Sequence, residues 1–340
     1  MSLTEAQILA FYNNCEYSPA IDYPFRPREL HIPEFISQQD NKLIEEACQS
    51  VASEVVTINL SLDDCRAIAP VLLHESLFHF YKAFYNYLAA RTLYFGGMLH
   101  WINVTLYYAS FYLARSLTVL FGRQSYQVTR KVRGYDEKPN PIFIPQIAEA
   151  LANKKGKQPD SYRLCINIDI ERQEGKIVFD KKKVSSHEDV WNDYEAILRE
   201  IQEDSGLRLF QFNGSYLKQS RNKENYSFEG YNHLDFNLYQ SGFESYFERD
   251  HIIKKQANTR FDDLSGDIFV ALSLQLNLYR KLQLDKLPIE REKFSYLINY
   301  CLPESKAKEN LLQLCNENFP TQYLCSENGS IFCDEQGRFL

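Results

Sequence analysis

Apolar residues recur every three or four positions over most of the first third of the chain, which is the spacing of one helix face. Two glycines, Gly96 and Gly97, interrupt this pattern once. Gly122 ends it, and glycine is favoured just after a helix C-terminus. The sequence therefore predicts a mainly helical core. Its predicted helices in this part of the chain cover residues 4–13, 38–56, 62–96 and 98–121.

The segment 98–121 is the most apolar stretch and holds no acidic side chain. It is long enough to cross a bilayer. Arg115 and several Asn, Ser and Thr residues interrupt it, and an arginine inside a membrane span costs about 2.5–3.5 kcal/mol. We therefore expect a central helix buried by the helices predicted over 62–96 and 266–284, with no membrane contact.

The pattern changes after Gly122. Alternating apolar and polar residues on both sides of a Gly-containing turn predict a β-hairpin over 162–184. Helical spacing then returns. The predicted later helices cover 186–203, 239–255, 266–284 and 304–316. This order predicts a mainly α fold, in which a mixed α/β insertion with one β-hairpin interrupts a helical core.

The predicted organisation has five parts. They are an irregular N-terminal segment (1–36), the first half of the helical core (37–122), the mixed insertion (123–260), the second half of the core (261–316) and a C-terminal tail (317–340).

Charge and cysteine content exclude some classes of function. The net charge of −7 provides no overall attraction to nucleic acid or to an anionic membrane. The eight cysteines include no CxxC pair, so neither a zinc site nor another cofactor is predicted. The N-terminus lacks a basic region followed by an apolar run, as a signal peptide would have. These features favour a cytoplasmic location with reduced thiols.

A tyrosine- and alanine-rich helix preceded by a glycine break carries a family resemblance. The stretch 89–122 resembles the HEPN superfamily, including its YaaC-like members. These are small helical domains of prokaryotic defence, toxin–antitoxin and nucleotidyltransferase-associated systems. The resemblance implies a HEPN-like helical core. The matching residues are Tyr107, Tyr108, Ala109, Phe111, Ala114, Arg115 and Leu117.

The resemblance also directs attention to catalysis. Many HEPN proteins are metal-independent ribonucleases that carry an Arg, four to six intervening residues and a His on a late helix. Among the seven histidines only Arg26 and His31 have this spacing, and they lie in a proline-punctuated N-terminal stretch. The late helix predicted over 266–284 contains Arg280 and no His. The resemblance therefore implies a non-catalytic member.

Two polar groups within the helices have open interpretations. His74 and His79 flank Glu75 at a spacing that does not suit two metal ligands on one helix face, which favours a surface or edge cluster. Arg115, in the most apolar helix, either pairs with a carboxylate or carbonyl groups or contacts a phosphate.

A basic segment follows the central helix. Residues 123–138 interleave basic side chains with tyrosines, a pattern typical of nucleic-acid contacts and also of a solvated loop. We expect its basic side chains to be exposed. The candidate nucleic-acid contacts are Arg115, Arg123, Arg130, Lys131 and Arg133.

The leading hypothesis is a non-catalytic, HEPN-like component of a prokaryotic multi-protein system that defends against phage or plasmids. It would bind a partner protein, such as a nuclease or an ATPase, and it would bind RNA or DNA through the basic segment. Formation of a homodimer is a further alternative. One alternative is a ribonuclease or toxin whose site is built from Arg115, His100 or the Arg26–His31 pair. A second alternative is a stand-alone helical scaffold.

Overall fold

The computed structural model describes residues 4–13, 55–95, 98–129, 161–180, 186–201, 209–215, 217–219, 222, 260–282 and 299. These residues are mostly helical and include one small antiparallel sheet, as the mainly α prediction requires. The helices are α1 (Glu5–Asn13), α2 (Leu62–Phe95), α3 (Leu99–Leu120), α4 (Ser186–Glu200) and α5 (Arg260–Lys281). The strands are β1 (Val55–Leu60), β2 (Arg123–Thr129), β3 (Ser161–Asp169) and β4 (Glu174–Asp180).

The chain divides into two compact units. Unit 1 comprises residues 1–79 and 114–207, and unit 2 comprises residues 80–113 and 208–340. Helices α2 and α3 each contribute residues to both units, and the four strands and α4 belong to unit 1.

Helix α2 begins with a reciprocal cap. The Ser61 backbone N–H donates to Asp64 Oδ2 at 2.8 Å, and the Asp64 N–H donates to Ser61 Oγ at 3.3 Å. Each contact satisfies a backbone N–H that has no partner inside the helix. The helix then runs for 34 residues to Phe95, which confirms the helix predicted over 62–96.

Helix α3 is buried over most of its length, as predicted for segment 98–121. Leu106, Ala109, Leu113 and Ala114 have no exposed surface, although Trp101 in the first turn is exposed. No helix among the described residues is long and apolar enough to span a membrane.

Helices α2 and α3 pack against each other as an antiparallel pair. In unit 1, the Ser76 and Ser116 hydroxyls each donate to the other residue's carbonyl oxygen at 2.7 Å. In unit 2, the Lys82 ammonium lies 5.5 Å from the centre of the Tyr112 ring. The expected packing of α2 on α3 is therefore present, whereas packing of α5 on α3 stays a prediction.

Helix α5 matches most of the helix predicted over 266–284, but it begins at Arg260. Within unit 2 its Tyr279 ring packs edge-on against Phe80 of α2, with ring centres 5.3 Å apart. The helices predicted over 239–255 and 304–316 lie outside the described residues.

The sheet has the strand order β1-β4-β3-β2, and every neighbouring pair is antiparallel. Strands β3 and β4 confirm the hairpin predicted over 162–184. The other two strands were not predicted. The sequence pattern predicts that Val55 and Val56 end a helix over 38–56, of which residues 38–54 lie outside the described residues. It predicts that 123–129 belong to an exposed basic segment. Pairing with β4 and β3 determines the conformation of both segments.

The two faces of the sheet differ sharply in polarity. The inner face packs into the core of unit 1 and the polar face lies opposite, because successive strand residues alternate between faces. Buried apolar side chains of the inner face are Val56, Ile58, Leu60, Leu164, Ile166, Ile168, Ile177 and Phe179. The polar face includes Asn59, Arg123, Ser125, Arg163, Cys165, Asn167, Glu174, Lys176 and Asp180.

Gly122 links α3 to β2 in a conformation that other residues rarely adopt. Its φ is +72°, and a Cβ atom there would lie 2.8 Å from the Ile168 Cβ. The Gly122 carbonyl accepts a hydrogen bond from the Ile168 N–H at 3.0 Å. The predicted role of Gly122 at the helix end is confirmed.

Helix α4 packs beside β2 on the polar face. It is amphipathic, and its buried side chains include Val190, Tyr194 and Ile197 at helical spacing. The helix predicted over 186–203 is therefore confirmed, with its end at Glu200. This helix covers β2 on the polar face.

Candidate functional site

An open cleft of about 670 Å³ lies on unit 1 beside the β3–β4 turn. Its floor contains one residue from each strand, because the sheet register aligns Asn59, Lys176, Asn167 and Arg123 in a row from β1 to β2. Asn59, Lys176 and Asn167 are exposed to solvent. The row is therefore accessible to a ligand that approaches from outside.

Helix α4 forms one wall of the cleft through Ile197 and Glu200. The Arg123 Nη2 atom donates to both carboxylate oxygens of Glu200 at 2.5 Å. Only 23% of the Arg123 side chain is exposed. The prediction that Arg123 would be exposed is wrong, because α4 covers β2 and supplies a carboxylate for it.

The rim of the cleft is acidic. Asp169 and Glu174 face each other in the register of the hairpin, and like charges in that position repel. Arg172 in the turn lies between them, with its guanidinium nitrogens 3.8 Å from Asp169 Oδ2 and 3.6 Å from Glu174 Oε1. Glu171 is exposed beside them and also lines the cleft.

The charges lining the cleft sum to a negative value. Two lining side chains are basic, Arg123 and Lys176, and four are acidic, which gives a formal net charge of −2; Arg172, which lies at the rim, reduces this to −1. Such a lining attracts cations and repels polyanions. The acidic residues are Asp169, Glu171, Glu174 and Glu200.

Further carboxylates lie where α4 meets the sheet. Burial raises the pKa of Asp193 to about 6, and the positive charges of Arg123 and Arg163 oppose this shift while Asp189 adds to it. Arg163 Nη2 donates to Asp180 Oδ2 at 2.5 Å, and this hydrogen bond is the main reason that the Arg163 pKa is raised. The interface thus holds more carboxylates than guanidinium groups.

A second polar group, here called the buried cluster, lies beneath the inner face of the sheet. It consists of Glu75, His79, Arg115, Gln124 and Tyr126. His79 Nε2 is 3.4 Å from Glu75 Oε1. With the Gln124 amide turned so that its oxygen faces the arginine, this oxygen accepts from Arg115 Nε at 2.8 Å and from Nη2 at 2.9 Å. The Arg115 guanidinium lies 5.8 Å from the Tyr126 ring centre.

Glu75, His79 and Gln124 of the buried cluster are shielded from solvent, and Arg115 and Tyr126 are half-buried. Burial raises the pKa of the Tyr126 hydroxyl well above its usual value, and the negative charge of Glu75 raises it further. His74 and His79 are 1% and 3% exposed, so the predicted surface or edge position of these histidines is wrong. The reason is that α2 is buried on several sides here, whereas the sequence argument placed the histidines from their mutual spacing alone.

Comparison with known proteins gave no match to any family model, any curated protein or any solved structure. The HEPN resemblance therefore stays a prediction that rests on the sequence. Within the part of the chain that the structure describes, no cluster of three or more His, Cys, Asp or Glu side chains could hold a metal ion.

The structure separates the candidate residues that it describes. Arg115 contacts inner-face side chains, whereas Arg123 lies on the polar face, so the two arginines do not form one surface. The remaining candidates fall outside the described part of the chain. These are Arg26, His31, Arg130, Lys131, Arg133 and the His100 side chain.

Sequence reasoning missed both the cleft and most of the buried cluster. The signal for the cleft was present in the hairpin, since its alternation places Asn167 and Asp169 on the same face as Glu174 and Lys176. No comparable signal marks Gln124 and Tyr126, which become part of the core only when β2 pairs with β3.

Proposed function

We propose that this protein is a non-catalytic, HEPN-like component of a prokaryotic multi-protein system that defends against phage or plasmids. It acts by binding a partner protein of the same system, such as a nuclease or an ATPase. The family part of the proposal comes from the sequence of helix α3.

The position of Arg115 is the observation that carries the proposal. This arginine belongs to the segment that resembles HEPN helices, and a guanidinium can bind a phosphate through paired N–H groups. Its guanidinium donates to the Gln124 amide oxygen and lies near the Tyr126 ring. Binding a phosphate would require these contacts to be replaced. This supports a role in binding a partner protein over ribonuclease activity.

The cleft supports a protein as the partner. It is open, it offers amide groups that can both donate and accept hydrogen bonds, and its lining has a net charge of −2. A nucleic acid would meet electrostatic repulsion at this surface. Contact with RNA or DNA remains part of the proposal through a different region, the basic residues Arg130, Lys131 and Arg133, and it rests on sequence alone.

An RNA-cleavage assay separates this function from its main rival. Purified protein incubated with labelled single-stranded RNA should leave the RNA intact. Cleavage that survives purification and disappears in both Arg26→Ala and His31→Ala would contradict a non-catalytic role. Those two variants remove the one Arg–His pair with the spacing of HEPN ribonucleases.

A further inference from the structure

We infer that the cleft is the docking site for an extended segment of the partner protein that carries lysine or arginine side chains. This inference rests on the proposed function, because it specifies the chemistry of the partner. It is carried by the shape of the polar face and by the order of charges along the β3–β4 hairpin.

The floor of the cleft has the dimensions of a short extended peptide. Its row of side chains crosses all four strands, from Asn59 on β1 to Arg123 on β2. Three inter-strand spacings correspond to about 14 Å, which is the length of about four extended residues. Asn59 and Asn167 can each donate and accept hydrogen bonds, as a peptide backbone requires.

The charges of the cleft form two adjacent rows. Lys176 lies in the floor row, and the next row along the hairpin on the same face contains Asp169 opposite Glu174. Two residues along a strand separate these rows by about 6.6 Å. A basic side chain of the ligand would bind over the acidic rim, and a backbone carbonyl would lie over Lys176.

Helix α4 restricts where the segment can lie. Glu200 already neutralises Arg123, so this end of the floor offers less positive charge to a ligand. Glu171 and Glu174 remain at the rim as exposed carboxylates, with Arg172 as their basic neighbour. The accessible charge for a ligand is therefore mainly negative, which favours a basic segment over an acidic one.

A peptide-binding experiment tests this inference. The probe is a fluorescein-labelled twelve-residue peptide of alternating lysine and alanine, compared by fluorescence anisotropy with a peptide in which glutamate replaces lysine. The cleft variant is Glu171→Gln/Glu174→Gln. The matched control is Asp63→Asn/Glu195→Gln, which removes two exposed carboxylates outside the cleft and changes the net charge equally, from −7 to −5.

We expect the lysine peptide to bind the wild-type protein and the glutamate peptide not to bind. The cleft variant should weaken the Kd about tenfold, the combined effect of two exposed ion pairs, and the control should change it less than twofold. Equal weakening in both variants would overturn the inference, because binding would then follow net charge alone. Absence of lysine-peptide binding at low salt would also overturn it.

A complex with the partner protein distinguishes failure of this inference from failure of the proposed function. If a complex forms and the cleft variant binds the partner as tightly as the control does, the cleft is not the docking site but the proposed function stands. If no complex forms while the lysine peptide still binds with the expected variant pattern, the cleft binds basic segments and the proposed function fails.

Discussion

Replacing Asp193 with asparagine removes a carboxylate that is held between α4 and the sheet. Burial raises the pKa of Asp193 from 3.8 to about 6, even though Arg123 and Arg163 lie near enough to lower it. The ionised carboxylate is therefore less stable in the folded protein than in the unfolded chain. Asparagine keeps the shape of the side chain and removes the charge.

The sign and size of the effect follow from the two pKa values. A raised pKa means that the protonated form stabilises the fold, so this stability is present below pH 4 and is lost as the pH rises through 6. The difference between the folded and unfolded pKa of Asp193 corresponds to about 3 kcal/mol of stability. Partial exposure of Asp193 reduces this to about 2 kcal/mol. Asp193→Asn should thus raise the free energy of unfolding by about 2 kcal/mol at pH 8.

Urea unfolding followed by circular dichroism at pH 5, 6, 7 and 8 measures this effect. The variant should be more stable than the wild type at pH 8, and the difference should shrink as the pH falls towards 5. Glu195→Gln, a change at an exposed carboxylate on the same helix, controls for the loss of charge. A variant that is less stable than the wild type at pH 8, or a difference that does not vary with pH, would refute the reasoning.

Three further variants have defined outcomes. Gly122→Ala should lower the free energy of unfolding by about 1–3 kcal/mol, because φ is +72° and the added Cβ would contact β3, and an unchanged urea midpoint would contradict this. Ala109→Leu should cost about 1–3 kcal/mol, because the residue is fully buried; a stability equal to wild type would show that α3 can accommodate the extra volume. Reversing Arg130, Lys131 and Arg133 to Glu should abolish any RNA or DNA binding, whose log–log salt dependence on single strands should be about −0.7 per phosphate contact. A salt-independent affinity would argue against charge as its basis.

Local periodicity explains why the helices could be predicted from sequence. In α2, α3 and α4 the apolar spacing is set within the segment itself. The cap Ser61 lies directly before α2, and Gly122 lies just after α3. The hairpin was predictable for the same reason. Its strands alternate, and they are joined by a short turn.

Strands β1 and β2 depend on partners far away in the chain. Their pairing with β4 and β3 joins segments separated by roughly forty to more than one hundred residues. The first two inward positions of β2 are Gln124 and Tyr126, so the strand does not begin with an alternation of apolar residues. Arg115 donates to the Gln124 side chain, and this contact exists only in the folded protein.

The environment of the candidate site residues likewise depends on contacts between distant parts of the chain. Arg123 was correctly recognised as a charged residue next to the core helix, but its partner Glu200 lies 77 residues later. The spacing of His74 and His79 gave no information about burial, which depends on what packs around α2. The polar residues that the hairpin itself contributes to the cleft, in contrast, follow from its alternation once its register is known.

The most direct test of the proposed function is complex formation with a product of a neighbouring gene. Each neighbouring gene product, with nucleases and ATPases first, is co-expressed with this protein and analysed by size-exclusion chromatography with light scattering. The account predicts one stoichiometric complex for the wild type and for Asp63→Asn/Glu195→Gln, and a weaker complex for Glu171→Gln/Glu174→Gln. Separate elution of every neighbouring product from the wild-type protein would contradict the account.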